Sequence, residues 1–227
     1  MNIIKHIKPN IRKEQVKRFL TRGHGKSLSR RTRQTLHRSI DDCTRLLKPV
    51  VLYKENPIKE TSGSSLTLQG DISLQGPRLS GVMRKCTSTT VFLATVGSAL
   101  DEKISNLMGK KQFAEAYIYD AIGSVAAEET VDIFQRKYDE ELGAKRKTST
   151  LRFSPGYCDW PIEEQKKLFK ILDSSVIGVK LSPTCLMKPR KSISGIFGIG
   201  HSDELGKKSS NPCNRCSYGN CIVRRTD

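Results

Sequence analysis

Apolar and polar positions divide the chain into stretches of different texture. In residues 1–48, Val16, Phe19 and Leu20 share one face of a short amphipathic pattern, and a longer, polar helix pattern runs through Leu36 to Leu47. From Tyr53 to Arg84 the text turns to Pro, Ser, Gly and Thr with alternating apolar residues, as in Ser65-Leu66-Thr67-Leu68 and Asp71-Ile72-Ser73-Leu74. That alternation predicts short strands joined by turns, and the folded domain is expected to begin there. Thr90-Val-Phe-Leu-Ala-Thr-Val-Gly97 reads as a buried strand closed by glycine, with Ser98 placed to cap a helix through Met108. From Phe113 to Glu141, Ala116, Ala121, Val125, Ala126, Val131 and Ile133 recur near helical spacing and predict a second, longer helix. Gly123 inside it costs about 1 kcal/mol of helix propensity, so close packing or a ligand must need the space. Arg152-Phe-Ser-Pro-Gly-Tyr157 is a loop sequence. After it, Asp159 is placed to cap a helix with Pro161 in its first turn and Ile162, Leu168, Phe169 and Leu172 on its buried side. Val176 to Leu181 and Ser192 to Ile199 read as strands flanking a Pro-rich link to Pro189, and no internal repeat is found.

The 227 residues are enough for one good-sized domain, or one domain with appendages, without disulfides. No run approaches the roughly 18 apolar residues of a membrane span, so the expectation is a soluble protein with no membrane partner. The formal net charge is +17, and residues 1–50 hold 14 Lys and Arg against 3 Asp and Glu. Such a balance favours acidic partners, anionic surfaces or nucleic acid without identifying one, and only charge speaks for nucleic acid. The N-terminus turns polar at once, against a secretory signal, while the Arg-rich, acid-poor first 40 residues keep an organellar transit peptide open. Seven cysteines, scattered at 43, 86, 158 and 185 before clustering at 213, 216 and 221, do not read as paired disulfides, and a reducing cytoplasm fits better.

Candidate chemistry narrows by elimination. Gly25-Lys26-Ser27 fails as a phosphate loop because its first glycine would fall at Leu20 and no apolar strand precedes it. The four histidines lack the pairing of a zinc hydrolase, and no G-x-S-x-G elbow is present. In the tail, Cys213-x-x-Cys216-x-x-x-x-Cys221 offers three thiolates, one short of a closed site, with Cys185, Cys158 or an outside group as the fourth. Zinc or iron–sulfur ligation and metal-free, reduced or redox-active thiols both remain readings of it, and Arg215, Arg224 and Arg225 would lower the thiol pKa in either. Arg152-x-x-x-Gly156-Tyr157 combines a guanidinium suited to a carboxylate, a glycine that lets backbone approach a ligand, and a tyrosine face and hydroxyl. Glu128 and Glu129 follow Gly123 closely enough for one carboxylate to border the space it opens.

Several segments together resemble one family, the activation (reactivation) domain of cobalamin (vitamin B12)-dependent methionine synthase in a short stand-alone form. They are Ala94-Thr-Val-Gly97 with Leu100-Asp101, Tyr119-Asp-Ala-Ile-Gly-Ser-Val-Ala-Ala-Glu128, Arg152-Phe-Ser-Pro-Gly-Tyr-Cys-Asp-Trp-Pro161 with Glu164-Gln165, and Ile177 to Gly195 with its Ser192-Ile-Ser-Gly195 end. They fall in family order across residues 50–200, and the basic N-terminus lies outside the match. The resemblance implies an α+β domain, a twisted antiparallel sheet with helices, over residues 51–205, between a basic extension (1–50) and a Cys-rich tail (206–227). It implies a groove for S-adenosylmethionine and a task in methionine biosynthesis: supporting reductive methylation of cob(II)alamin.

Carried over residue by residue, Arg152 is the arginine implied to hold the methionine carboxylate, and Glu128 the glutamate near the ligand's cationic part. Gly156 and Tyr157 match the loop whose backbone meets the ligand, with Tyr157 facing the cobalamin and therefore the catalytic candidate. Ser194 and Gly195 match a strand lining the groove. The aspartate by which larger members contact the ligand's amino group has no counterpart in context at Asp41, Asp42 or Asp71. The chain lacks the Asp-x-His-x-x-Gly cobalamin motif, so cobalamin would be carried by a partner, a methionine synthase subunit or other corrinoid protein. The chain would act in trans as an accessory component, with an electron donor such as flavodoxin or ferredoxin. The alternative is a metal- or Fe-S-bearing adaptor of another corrinoid methyltransferase, with Cys213, Cys216 and Cys221 as its active feature.

Overall fold

The apolar run near residue 90 forms a strand buried at all of its positions, from Ser88 to Thr95, and the rest of the chain is built around it. A computed structural model describes residues 1–21 and 27–205. In chain order the elements are β1 (Asn2–Lys5), α1 (Lys13–Leu20), α2 (Arg30–Leu46), β2 (Val50–Thr61), β3 (Ser65–Leu68), β4 (Ile72–Gln75), α3 (Pro77–Met83), β5 (Ser88–Thr95), α4 (Ala99–Gly109) and α5 (Phe113–Gly143). They continue with β6 (Lys147–Ser149), α6 (Gln165–Ile171), β7 (Lys180–Leu181), β8 (Met187–Lys188), β9 (Ser192–His201) and α7 (Ser202–Leu205). The main sheet is antiparallel, in the order β4-β3-β2-β5-β9-β6. One edge of β2 is shared in succession, residues 50–53 pairing with β1 and residues 58–61 with β3.

Both faces of this sheet are covered, which explains why β5 reads as a continuous apolar run rather than an alternation. On one face Val51, Phe92, Ala94, Phe197 and Ile199 meet Val131, Phe134, Tyr138 and Leu142 of α5. On the other, Leu52, Val91, Leu93 and Ile196 meet Leu79 and Met83 of α3, Leu168 of α6, and Trp160. The result is an α+β fold with a twisted antiparallel sheet, as the resemblance implies. Helices α1, α2, α4 and the first half of α5 form a third cluster around Val16, Leu36, Cys43, Leu100 and Ile122.

Five local expectations change. The fold begins at β1, ahead of Tyr53, because residues 1–46 supply an edge strand and two packed helices. Val176 and Ile177 lie in a 3-10 turn (Ser174–Ile177) rather than a strand; the Asp173 carboxylate accepts from the Ser175 N–H at 3.1 Å and stabilises that turn. The Asp159 carboxylate accepts from the N–H of Arg78 at 3.1 Å, so it caps α3 and not the helix that follows it in sequence. Ile162 is exposed, while Leu168 and Leu172 carry the buried side as expected. Ser98 precedes α4 but makes no capping hydrogen bond through its side chain. Among the described residues, no helix is long and apolar enough to cross a membrane.

Candidate functional site

Arg152 lies just past β6, in a segment pinned by its neighbour. The Phe153 N–H donates to Ile196 of β9 at 2.8 Å, and the Phe153 carbonyl accepts from Ile196 N–H at 2.9 Å. Alternate side chains of an extended segment take opposite sides. Phe153 packs with the α6 face of the sheet, and Arg152 turns to α5.

There the guanidinium meets three residues on one helical face, Glu128, Asp132 and Gln135, at spacings of four and three. One terminal nitrogen lies 2.7 Å from Asp132 Oδ1 and donates to Gln135 Oε1 at 3.2 Å; the other lies 3.4 Å from Glu128 Oε2. The Arg152 side chain is only 11% exposed, so these partners offset the cost of burying its charge. Gln135 is fixed in turn, its amide N–H groups donating to Ser149 Oγ and to the Thr150 carbonyl, each at 2.9 Å. The Ser149 hydroxyl donates to Asp139 at 2.6 Å. Next to Glu128, burial pushes the Glu129 carboxyl above its ordinary range and the charge of Asp132 adds to that, while Arg12 and Arg136 oppose it.

The space opened by Gly123 is filled by protein. A Cβ there would lie 2.4 Å from Leu100 Cδ2 and 2.9 Å from Lys191 Cγ, so close packing accounts for this glycine. The Lys191 ammonium is buried at the same level of α5, 2.8 Å from Asp120 and 3.0 Å from the Ser124 hydroxyl. Asp120, Ser124, Glu128 and Asp132 thus form a polar stripe at intervals of four, faced by two cations, Lys191 and Arg152.

Of the residues singled out in the sequence, Arg152 and Glu128 come together directly. Gly156 has φ +88°, and its N–H donates to the Trp160 carbonyl at 2.8 Å, closing a compact turn that leaves Tyr157 55% exposed. Ser194 and Gly195 point to opposite faces. The Ser194 hydroxyl accepts from Gln165 of α6 at 3.0 Å, on the far side of the sheet from Arg152. Gly195 sits where Phe153 crosses β9. Asp42 is held by Tyr119 and Lys103, and Asp71 by Lys59, which leaves neither near Arg152. Asp132 and Gln135 escape the sequence reading, although their spacing from Glu128 on a helix would have found them. Cys213, Cys216 and Cys221 lie outside the described residues, among which no group of His, Cys, Asp or Glu could hold a metal ion. Cys185 is buried and Cys158 exposed.

A cavity of about 650 Å³ lies elsewhere, between α1, α2 and the start of α5, lined by Leu20, Leu28, Arg31, Lys111, Phe113 and Tyr117 among others. It is roughly 20 Å along the α5 axis from Glu128. The sequence motifs singled out as candidates do not line it, and the candidate chemistry is placed at Arg152.

Residues 92–204 match the family model described as the vitamin B12 dependent methionine synthase activation domain. No curated protein matches the sequence. Among solved structures, a crystal structure of the MetH reactivation domain bound to AdoHcy is similar with a TM-score of 0.62, covering 89% of this chain and 78% of that one. At 16% identity this likeness establishes the fold.

Proposed function

With residues 92–204 belonging to the family of the vitamin B12 dependent methionine synthase activation domain, we propose that the chain binds S-adenosylmethionine and supports reductive methylation of cob(II)alamin on a separate corrinoid protein. When bound, S-adenosylmethionine supplies an electrophilic methyl group. A flavodoxin- or ferredoxin-like donor would supply the one electron that takes the partner's Co(II) to Co(I), and transfer of the methyl group to it, with S-adenosylhomocysteine leaving, would draw that unfavourable reduction forward.

The observation that supports this reading is the pairing of Arg152 with Glu128 and Asp132. A fixed cation beside carboxylates matches the charge pair of an α-amino acid: the ligand carboxylate takes the guanidinium, and its ammonium takes Glu128. One guanidinium against two carboxylates also leaves the cluster a net negative charge, which suits a ligand carrying an added sulfonium cation. In the same proposal Gly156 brings the loop backbone to the ligand, Tyr157 faces the corrin, and Gly195 holds the floor. Ser194, held by Gln165 on the opposite side of the sheet, fixes the strand that carries Gly195.

The α2 helix presents Arg30, Arg31, Arg33, Arg38 and Arg45 to solvent beside the apolar cavity at the start of α5. These features support docking of an acidic partner, either the corrinoid protein or the electron carrier.

Isothermal titration of S-adenosylmethionine into the protein, with S-adenosylhomocysteine beside it, tests the reading. Saturable binding that Arg152→Ala weakens by at least about tenfold is expected, since a charge-assisted hydrogen bond is worth roughly 1.5–3 kcal/mol. Unchanged affinity in Arg152→Ala would remove the site assignment, and no binding to the wild-type chain would remove the function.

A further inference from the structure

The two terminal nitrogens of Arg152 are held unequally. One has Asp132 at 2.7 Å and Gln135 at 3.2 Å; among the described residues the other has the longer contact to Glu128, at 3.4 Å. The better-held end also rests on the more rigid support. Gln135 is 7% exposed, and its amide is oriented by Ser149 and the Thr150 carbonyl, so its oxygen must face Arg152. Ser149 is buried and tied to Asp139. A relay of hydrogen bonds thus runs from Asp139 through Ser149 and Gln135 to the guanidinium, and Asp132 adds the counter-charge that keeps it there.

We infer that Asp132, backed by Gln135, is a positioning residue for the S-adenosylmethionine reading of this site, on which the inference rests. Asp132 anchors one end of the Arg152 guanidinium and leaves the end beside Glu128 for the ligand's carboxylate. The Arg152–Glu128 contact is the exchangeable half of the arrangement. A zwitterionic amino-acid end takes both partners at once, its carboxylate on the arginine and its ammonium on the glutamate, so the largely buried guanidinium keeps a full set of acceptors. Without Asp132, the guanidinium has Glu128 as its remaining carboxylate and turns towards it, closing the contact that the ligand has to open.

The chemistry separates this role from a merely structural one. A group that acts only through Arg152 matters only to ligands that use Arg152. Decarboxylated S-adenosylmethionine keeps the nucleoside, the sulfonium and the amine but offers the guanidinium nothing to bind.

The test is calorimetric titration of S-adenosylmethionine and its decarboxylated analogue into wild-type, Asp132→Ala and Asp132→Asn protein, with thermal midpoints recorded for each. Asp132→Ala is expected to lose about tenfold in affinity for S-adenosylmethionine, within the coupling range of neighbouring polar groups, and several-fold less than that for the decarboxylated analogue, which has no carboxylate to place on the guanidinium. Asp132→Asn keeps an acceptor oxygen for the guanidinium and is expected to recover most of the loss. Should Asp132→Ala bind S-adenosylmethionine as tightly as wild type, or lose both ligands equally, the positioning role is overturned while the site reading stands. A wild-type chain that takes up neither ligand overturns both.

Discussion

Replacing Gly195 by alanine asks how rigidly the Arg152 segment is pinned. A Cβ at this position would lie 2.7 Å from the Phe153 carbonyl oxygen, 2.7 Å from Phe92 Cζ and 2.9 Å from Phe92 Cε1. Carbon contacts settle near 3.5–4.0 Å, so room of roughly 0.5–1 Å must be made on two sides. Neither side yields easily. Phe92 is fully buried, with ring centroids of Phe134 and Phe197 at 6.0 and 6.1 Å, and Phe153 is tied to Ile196 by both of its backbone groups. Overpacking of this kind costs about 1–3 kcal/mol. A lost backbone hydrogen bond adds roughly 1 kcal/mol. Relief of the glycine entropy penalty returns only about 0.5–1 kcal/mol. The net loss is about 2–3 kcal/mol, and for a chain of this size the thermal midpoint falls by roughly 5–10 °C. Circular dichroism melting of Gly195→Ala measures it. Gly81, inside α3 with nothing within 4 Å of its would-be Cβ, is the control, where alanine should raise stability slightly. A Gly195→Ala midpoint within about 2 °C of wild type would refute the close approach of Phe153 to β9 on which the site's geometry depends.

Two further outcomes follow from titratable groups outside the site. The Tyr119 hydroxyl donates to Asp42 at 2.5 Å, and this bond, aided by Lys103, holds the Asp42 carboxyl below its ordinary value of 3.8. A depressed carboxyl contributes stability above its unfolded pKa and loses it as pH falls through the folded one. Tyr119→Phe should therefore cost about 1 kcal/mol at neutral pH, and denaturation curves of the two proteins should converge below pH 3.8. A constant difference down to pH 2 would contradict the assignment. Burial pushes the Cys43 thiol up to about 12 and that of Cys86 to about 11, while Cys158 is exposed. Brief alkylation of native protein at pH 8, mapped by mass, should mark Cys158 and spare Cys43 and Cys86 until denaturant is added; early labelling of Cys43 would show that α2 does not stay packed.

The parts of the fold legible in the sequence are those where one pattern dominates a whole element. The recurrence of Ala116, Ala121, Val125 and Val131 sets out α5 almost to its ends, and the apolar run into Thr95 marks a strand covered on both faces. The alternation at Ser65–Leu68 and Ile72–Gln75 is equally direct. Residues 1–50 mislead because their charge outweighs a sparse apolar stripe, Val16, Leu36 and Cys43, which is nonetheless fully used in packing. Val176 and Ile177 mislead because a short apolar run carries no period, and Asp173 settles the local geometry in favour of a turn. Within the site, Arg152 and Glu128 are found through family resemblance, whereas Asp132 and Gln135 read as solvent-facing helix positions until the helix and the arginine are seen together. Ser194 and Gly195 show the opposite difficulty: adjacent in a motif, they are separated by the two-residue period of a strand.

The pairing of β9 with β5 has a consequence for synthesis. Ser88 lies opposite Ile199 and Thr95 opposite Ser192, so the central pair of the sheet joins residues about a hundred positions apart. A nascent chain that has emerged only as far as α6 has a strand destined for full burial with one edge open, the kind of edge that recruits other chains. Contacts of such long sequence separation form late and slowly. The arginine loop, anchored to Ile196, takes its final place only when that last long strand inserts. Its assembly is therefore a checkpoint: a chain that has failed to complete its sheet has no ordered ligand-facing arginine to offer a partner.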